Sequence, residues 1–237
     1  MNSSTLFTKS KVFCPCGLCG EHTHNIGPLG KGERVLEGVN WYTVEQTTEV
    51  LQPVAVDDLR RHLRIDGHSD DAELQQMINA ATQYCKSGVP GGLSLINRTV
   101  DLVLDVFPSS SDRLELPFPP FQSVTSITYF DGSNSSTTLS SSDYQTFAPT
   151  EGPGWLKPAI DKTWPSTKLR DDAVTVKYVC GYGSTPASVP PSMRHAIRLL
   201  SGHFYENREA FVIGTISKEL EFSVSALLGS NGYGYYG

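Results

Sequence analysis

The chain has 237 residues, a formal charge of −6 and 38% hydrophobic content, with 21 glycines and 15 prolines. That length supports one core, or a core with extensions, and the glycine and proline content implies many turns and long loops. The mild acidity excludes the basic footprint of a protein that grips nucleic acid, although like charge suits a protein past which DNA must slide.

No stretch of eighteen apolar residues is present, so no membrane span is expected. The polar start Met1–Lys11 lacks the apolar run of a signal peptide, and five cysteines, an odd number, do not suggest a secreted disulfide framework. A reducing cytoplasm is the expected place of synthesis.

Residues 1–52 show no sustained period, and Pro15, Pro28 and the glycines from Gly17 to Gly32 interrupt them. They read as an extension that is ordered only where something else holds it. Within it, Cys14, Cys16, Cys19 and His22, with His24 beyond, form the one cluster with the look of a metal site. Thiolate and imidazole are the ligands zinc prefers, and four close a structural site. The spacing is tighter than in two separated knuckles, so a single short loop would have to wrap the ion. The other reading is a flexible extension with reduced thiols, or a contact with a neighbouring subunit. No other cofactor is expected.

Order begins after Pro53. Val56, Leu59 and Leu63 share a face, and Asp57 and Asp58 precede the arginines as a helix dipole favours, which predicts a helix over 56–65. A turn at Asp66–Gly67–His68 follows. Asp70 and Glu73 have capping-box spacing, and Leu74, Met77, Ile78, Ala81 and Cys85 form one stripe of a helix over 70–87. Gly88, Pro90, Gly91 and Gly92 stop it.

From 95 to 182 the period changes to two, and strands are predicted at Thr99–Phe107, Arg113–Leu116, Val124–Phe130, Tyr144–Phe147 and Ala173–Cys180. Asp131–Gly132 signals a turn, and Ser133–Ser142 reads as a solvated loop tip. Pro117, Pro119 and Pro120 make their segment an edge or a connector. Pro190–Pro191–Ser192 then announces a helix over 192–209, with Met193, Ala196, Ile197, Leu200 and Phe204 on one face. After Gly214 come ISKELEFSVSALL and a terminal GSNGYGYYG.

The expected fold is therefore α+β: a small helical bundle, two N-terminal helices and one C-terminal helix, carries an inserted antiparallel β-sheet and extended arms at both ends. The expected divisions are an extension over 1–52, a core over 53–213 and a C-terminal arm over 214–237.

Catalytic machinery is not found. There is no GxSxG, and Cys85 and Cys180 sit on an apolar helix face and in a strand, where a free cysteine is usually a small core residue. His62, His195 and His203 lie on helical segments. Of the acidic pairs, Asp57–Asp58 and Asp70–Asp71 stand at helix starts, and Asp171–Asp172 precedes a strand. Gly181-Tyr182-Gly183 lacks the third glycine and the helix of a dinucleotide loop. The apolar Phe222, Val224, Leu227 and Leu228 lie beyond the last predicted helix. They either fold back onto the domain or form an arm that anchors in a groove on a partner.

The run VAVDDLRRHLRIDGHSDDAELQQMINAATQYC, followed in order by LINRTV, SITYFDG, VTVKYVCGYG and VPPSMRHAIRLLSGHFYENREA, resembles the head–tail adaptor (connector) proteins of tailed bacteriophages. The segment LEFSVSALL resembles the ending of that family. The resemblance spans about residues 53–228. It implies a non-enzymatic structural protein of the virion neck, assembled in the host cytoplasm. Twelve copies would form a ring below the portal protein and extend the channel through which double-stranded DNA passes without sequence-specific binding. The lower face would receive the stopper or tail-completion protein. By position, portal binding would fall to Phe222, Val224, Leu227, Leu228, Tyr233, Tyr235 and Tyr236. The first fifty residues and the glycine-tyrosine ending depart from the family pattern. Two rival readings are a β-rich tail or baseplate binding module, motivated by the aromatic and serine-rich strands, and a small hydrolase, which needs a nucleophile and base not found here.

Overall fold

The structure, a computed structural model, describes residues 41–45, 51–87, 92–108, 113–149, 152–207 and 218–229. Four α-helices, α1 (Val56–Leu63), α2 (Asp71–Ser87), α3 (Pro191–Glu206) and α4 (Lys218–Gly229), pack on one another. Eight strands intervene or precede: β1 (Trp41–Glu45), β2 (Arg98–Leu104), β3 (Leu114–Glu115), β4 (Phe121–Phe130), β5 (Ser136–Thr138), β6 (Tyr144–Phe147), β7 (Trp155–Pro158) and β8 (Val174–Cys180). The α+β class and the helical bundle with an antiparallel insertion are both present.

The helical core gathers the predicted stripes. Leu59 of α1, Leu74, Ile78, Ala81 and Cys85 of α2, and Met193, Ala196, Ile197 and Leu200 of α3 are all buried together. Each large side chain among them contributes about 1.5–3 kcal/mol on burial. Leu93, Leu95 and Ile96, in the link between α2 and β2, join the same core. The α1–α2 corner is closed by polar contacts. Arg64, in left-handed conformation at φ 57°, caps α1 by donating its backbone N–H to the carbonyls of Arg60 and Arg61. The Arg60 guanidinium reaches the Asp71 carboxylate at 2.8 Å, across the turn. That bond is the first cause holding the Asp71 carboxyl below its usual range, with His68 adding to it.

The β part has two sheets around a second core. One sheet has the order β1-β2-β8-β4-β5 and the other β3-β7-β6, and every pairing is antiparallel. In β8 the inward Val174, Val176, Tyr178 and Cys180 alternate with Thr175, Lys177 and Val179, as period two demands. They meet Val100, Leu102 and Leu104 of β2, Ile127 of β4, Leu114 of β3 and Leu156 of β7.

Several expectations change. The strand β1 lies inside the predicted extension and pairs with β2 from Trp41↔Leu104 to Glu45↔Val100. Here the edge of the sheet is the something else that holds it. The serine run contains β5, which closes a hairpin on β4 through Thr128↔Thr138 and Phe130↔Ser136. The strand β7 had no period to reveal it, because only Trp155 to Pro158 separate a glycine-proline turn from a loop. The prolines at 117, 119 and 120 connect β3 to β4, as expected of a connector.

The largest change is at the C-terminus. The first part of the expected arm is helix α4, and Val224 and Leu228 are buried in the helical core with Leu227 packed against it. Among the described residues the bundle thus has four helices, where three were expected. The spacing of Val224, Leu227 and Leu228, at i, i+3 and i+4, is that of a helix face.

One partly buried acid tests the sheet. Asp101 of β2 faces Lys177 of β8 across the register, with Oδ1 3.8 Å from Nζ. Burial raises the Asp101 carboxyl, and the lysine only partly opposes this. An acid whose folded pKa is raised loses stability as pH climbs from its unfolded value through its folded one. Asp101→Asn is therefore expected to leave stability at pH 7 unchanged or raise it by about 0–1 kcal/mol, since Lys177 keeps access to water. Urea melts at pH 4 and pH 7 check this. A clear loss of stability at pH 7 would show that the ion pair outweighs the desolvation.

Candidate assembly surfaces

The described residues hold no group of three or more histidine, cysteine or acidic side chains placed to bind a metal. Cys14, Cys16, Cys19, His22 and His24 lie outside the described residues. Cys85 and Cys180 are buried thiols outside any disulfide, and burial pushes the Cys85 thiol up to about 12. Such a thiol is neither a nucleophile nor a ready ligand at neutral pH. Cys180 Sγ lies 3.1 Å from Ser94 Oγ. His62 of α1 and His195 of α3 meet edge to face with ring centroids 6.3 Å apart, as packing partners between two helices.

The residues expected at the portal separate into two sets. Val224, Leu227 and Leu228 are drawn together on α4, where they face α3 and the rest of the helical core. Tyr233, Tyr235 and Tyr236 lie outside the described residues, as does the side chain of Phe222.

A rigid junction links the two cores. Gly181 follows β8, and its N–H donates to the Pro120 carbonyl at 2.8 Å while its own carbonyl accepts from Gln122 Nε2 at 2.6 Å. Next to it, Tyr182 N–H reaches the Leu95 carbonyl at 3.2 Å, and Asn97 N–H reaches Gly183 O at 2.9 Å. Arg98 stacks over the Phe118 ring at 4.4 Å and donates to Ser94 Oγ at 2.7 Å. Buried Tyr178 donates its hydroxyl to the Pro117 carbonyl at 2.7 Å. The bundle and the sheets are thus tied by backbone and side-chain bonds across one short seam.

The outer face of the β3-β7-β6 sheet is aromatic. Phe147 and Trp155 stand opposite in register and stack with centroids 3.8 Å apart and planes within 12°. Lys157 Nζ lies 5.7 Å from the Trp155 centroid, and Arg113 reaches the same ring at 6.0 Å. Arg113 is paired to Glu115 at 2.6 Å. Burial raises the Glu115 carboxyl, against the pull of that arginine.

The loop from 159 to 173, between β7 and β8, is pinned in the middle and bare on both sides. Trp164 enters the sheet core and stacks on Phe107 with centroids 4.9 Å apart. Lys168 N–H bonds the Phe130 carbonyl at 2.9 Å, and Arg170 lies 3.7 Å over the Phe130 ring. Ile160, ahead of these anchors, is 79% exposed, and Leu169, between Lys168 and Arg170, is 94% exposed; Phe147, on β6, is 41% exposed. Single exposed aliphatics are ordinary; two on a loop fastened at three points are presented side chains. Sequence reasoning missed this surface. The four residues Trp155 to Pro158 are too few to display a period.

With the fold in view, comparisons with known proteins point one way. Residues 54–149 match the phage gp6-like head-tail connector protein family. This stretch runs from α1 and α2 through the five strands β2 to β6, and it carries much of the resemblance read from the sequence. Among solved structures, a chain in the neck of an empty gene transfer agent (GTA) particle computed with C6 symmetry is similar. It has 22% identity and a TM-score of 0.65, over 80% of this chain and 94% of that one. A chain of the native GTA virion has 22% identity and a TM-score of 0.62, over 79% and 93%. A chain of the native GTA neck computed with C12 symmetry has 20% identity and a TM-score of 0.58, over 80% and 94%. No curated protein matches. At these identities the structural likeness is one of fold, and it extends beyond the connector-matched segment to most of the chain.

Proposed function

We propose that this protein is a structural, non-enzymatic head–tail adaptor of a tailed phage or phage-like particle, located in the virion neck. The observation that carries the reading is the connector-family match over residues 54–149, set in a fold shared along most of the chain with neck proteins. In this role copies of the chain form a twelve-membered ring below the portal, extend the DNA channel and offer a docking surface to the stopper or tail. The acidic balance fits a wall past which DNA slides without being gripped.

Portal anchoring falls to the end of the chain. Val224 and Leu228 are engaged in their own bundle, so α4 serves as the base of the anchor, and the contact falls to Phe222, Leu227, Tyr233, Tyr235 and Tyr236. A weak apolar anchor repeated around a ring gains greatly in avidity from effective concentration.

The test is the mass of the particle that the full chain forms with portal. Twelve copies per portal ring support the adaptor. A protein that stays monomeric or trimeric, binds glycans and ignores portal would favour a tail or baseplate module instead.

A further inference from the structure

We propose that the aromatic outer face of the β3-β7-β6 sheet receives the Ile160–Asp161 corner of a second copy of this chain, and that this knob-into-plate contact is a lateral joint of the ring. The inference rests on the adaptor reading above and names the partner of a surface that the reading leaves open.

The two halves of the joint lie at opposite ends of one hairpin. At one end β6 and β7 place Phe147 against Trp155, with Lys157 two residues along on the same face because side chains alternate. Leu156, on the other face, is buried in the core, so the sheet is already filled behind the plate. At the other end Ala159 N–H bonds the Asp143 carbonyl at 3.0 Å, and Lys162 N–H closes a turn on Ala159 O at 3.0 Å. Asp161 occupies the third position of that turn at φ 61°, a conformation aspartate tolerates better than most side chains. Lys162 Nζ, 3.5 Å from Asp143 Oδ1, staples the turn from outside. Ile160 is therefore held at the corner by the backbone. The Phe147–Trp155 pair and the corner are separated by the length of β7, about 10 Å at about 3.3 Å per residue.

Charge selects the partner. Arg113 is committed to Glu115, whereas Lys157 is exposed beside Trp155 and has no ion pair among the described residues. At the corner Lys162 is committed to Asp143, whereas Asp161 is exposed and likewise has no ion pair among the described residues. Each half is thus an apolar surface with one uncommitted charge, cationic on the plate and anionic on the corner. The complement of each half is found on the other half of the same molecule. Two different patches that complement each other, displaced from one another along a subunit, give a head-to-tail contact, which forms a ring where its rotation closes. Opposed charges at the rim of such a contact set its register and suppress wrong partners.

A charge swap tests the proposal. Full-length Lys157→Glu and Asp161→Lys are each expected to weaken ring formation on portal tenfold or more, read as the protein concentration that gives half-occupied rings. The double variant is expected to recover to within about threefold of the parent. Lys157 is exposed on a strand, so its variant should melt with the parent, whereas Asp161→Lys and the double variant should melt slightly and equally lower, because lysine tolerates φ 61° less well than aspartate. A double variant as defective as the single ones would overturn the joint, as would single variants that form rings normally. Normal rings that no longer accept a tail would also overturn it, and would assign the plate to the stopper instead. A parent protein that forms no ring at all would overturn the adaptor reading itself, a result distinct from all of these.

Discussion

Leu228→Ala is expected to cost about 2–5 kcal/mol of stability, and Leu228→Asp more than that. Leu228 is fully buried among the side chains of the helical core, and Val224, one turn earlier, is buried beside it. Alanine leaves a cavity at the α3–α4 contact; aspartate adds a carboxylate inside an apolar core. Leu227→Asp, at a partly buried neighbour, is expected to cost much less, about 1 kcal/mol. Chemical denaturation of the three variants provides the measurement. A Leu228→Asp curve superposing on the parent's would mean that α4 does not dock on α3 in solution. The order of these effects also governs how portal anchoring is tested. Lost attachment in a Leu228 variant would report a damaged bundle, whereas lost attachment in Leu227→Asp, or in a variant lacking Tyr233, Tyr235 and Tyr236, would report the anchor.

The helical bundle was legible because each helix displays its period without help. The stripe Leu74, Ile78, Ala81 and Cys85 needs only the rise and twist of a helix to point at one core, and that core is where all four lie. The strands β2, β4 and β8 were legible for the same reason. The elements β1, β5 and β7 were not, because each takes its order from a partner strand. Ser136–Thr138 has no apolar face, and it is a strand because Thr128 to Phe130 supply the hydrogen bonds. The end of the chain misled for a different reason. Its apolar residues looked surplus when the core was counted as three helices, and only the packed structure reveals the space on α3 that they fill. The presented surfaces were hidden too. Ile160 is ordinary in sequence, and what sets it apart is a turn closed by Lys162 and Asp143 around it.

Gly181→Ala is expected to cost about 3 kcal/mol or more, and to loosen the seam between bundle and sheets. The Gly-Tyr-Gly run that fails as a nucleotide loop is explained by packing. Gly181 has φ 130°, and a Cβ there would lie 2.6 Å from Asn97 N, Ile96 C and Ile96 O. Those are backbone atoms, and they have no room to retreat, since Asn97 is bonded to Gly183 and Leu95 to Tyr182 on either side. Ile96 and Leu95 are also buried in the helical core, so a shift there is felt by α2 and α3. The cost has two sources, strain at positive φ and collision with the α2–β2 link. Gly67→Ala separates them, because Gly67 has φ 86° but nothing within 4 Å of its would-be Cβ. It is expected to lose only about 1–2 kcal/mol, the strain alone. Thermal melts of the two variants, with hydrogen exchange at Tyr182 and Asn97, distinguish the sources. Equal losses would leave strain as the whole effect; a larger loss at Gly181, with faster exchange of the Asn97 amide, would show that close backbone contact is what joins the helical bundle to its β insertion.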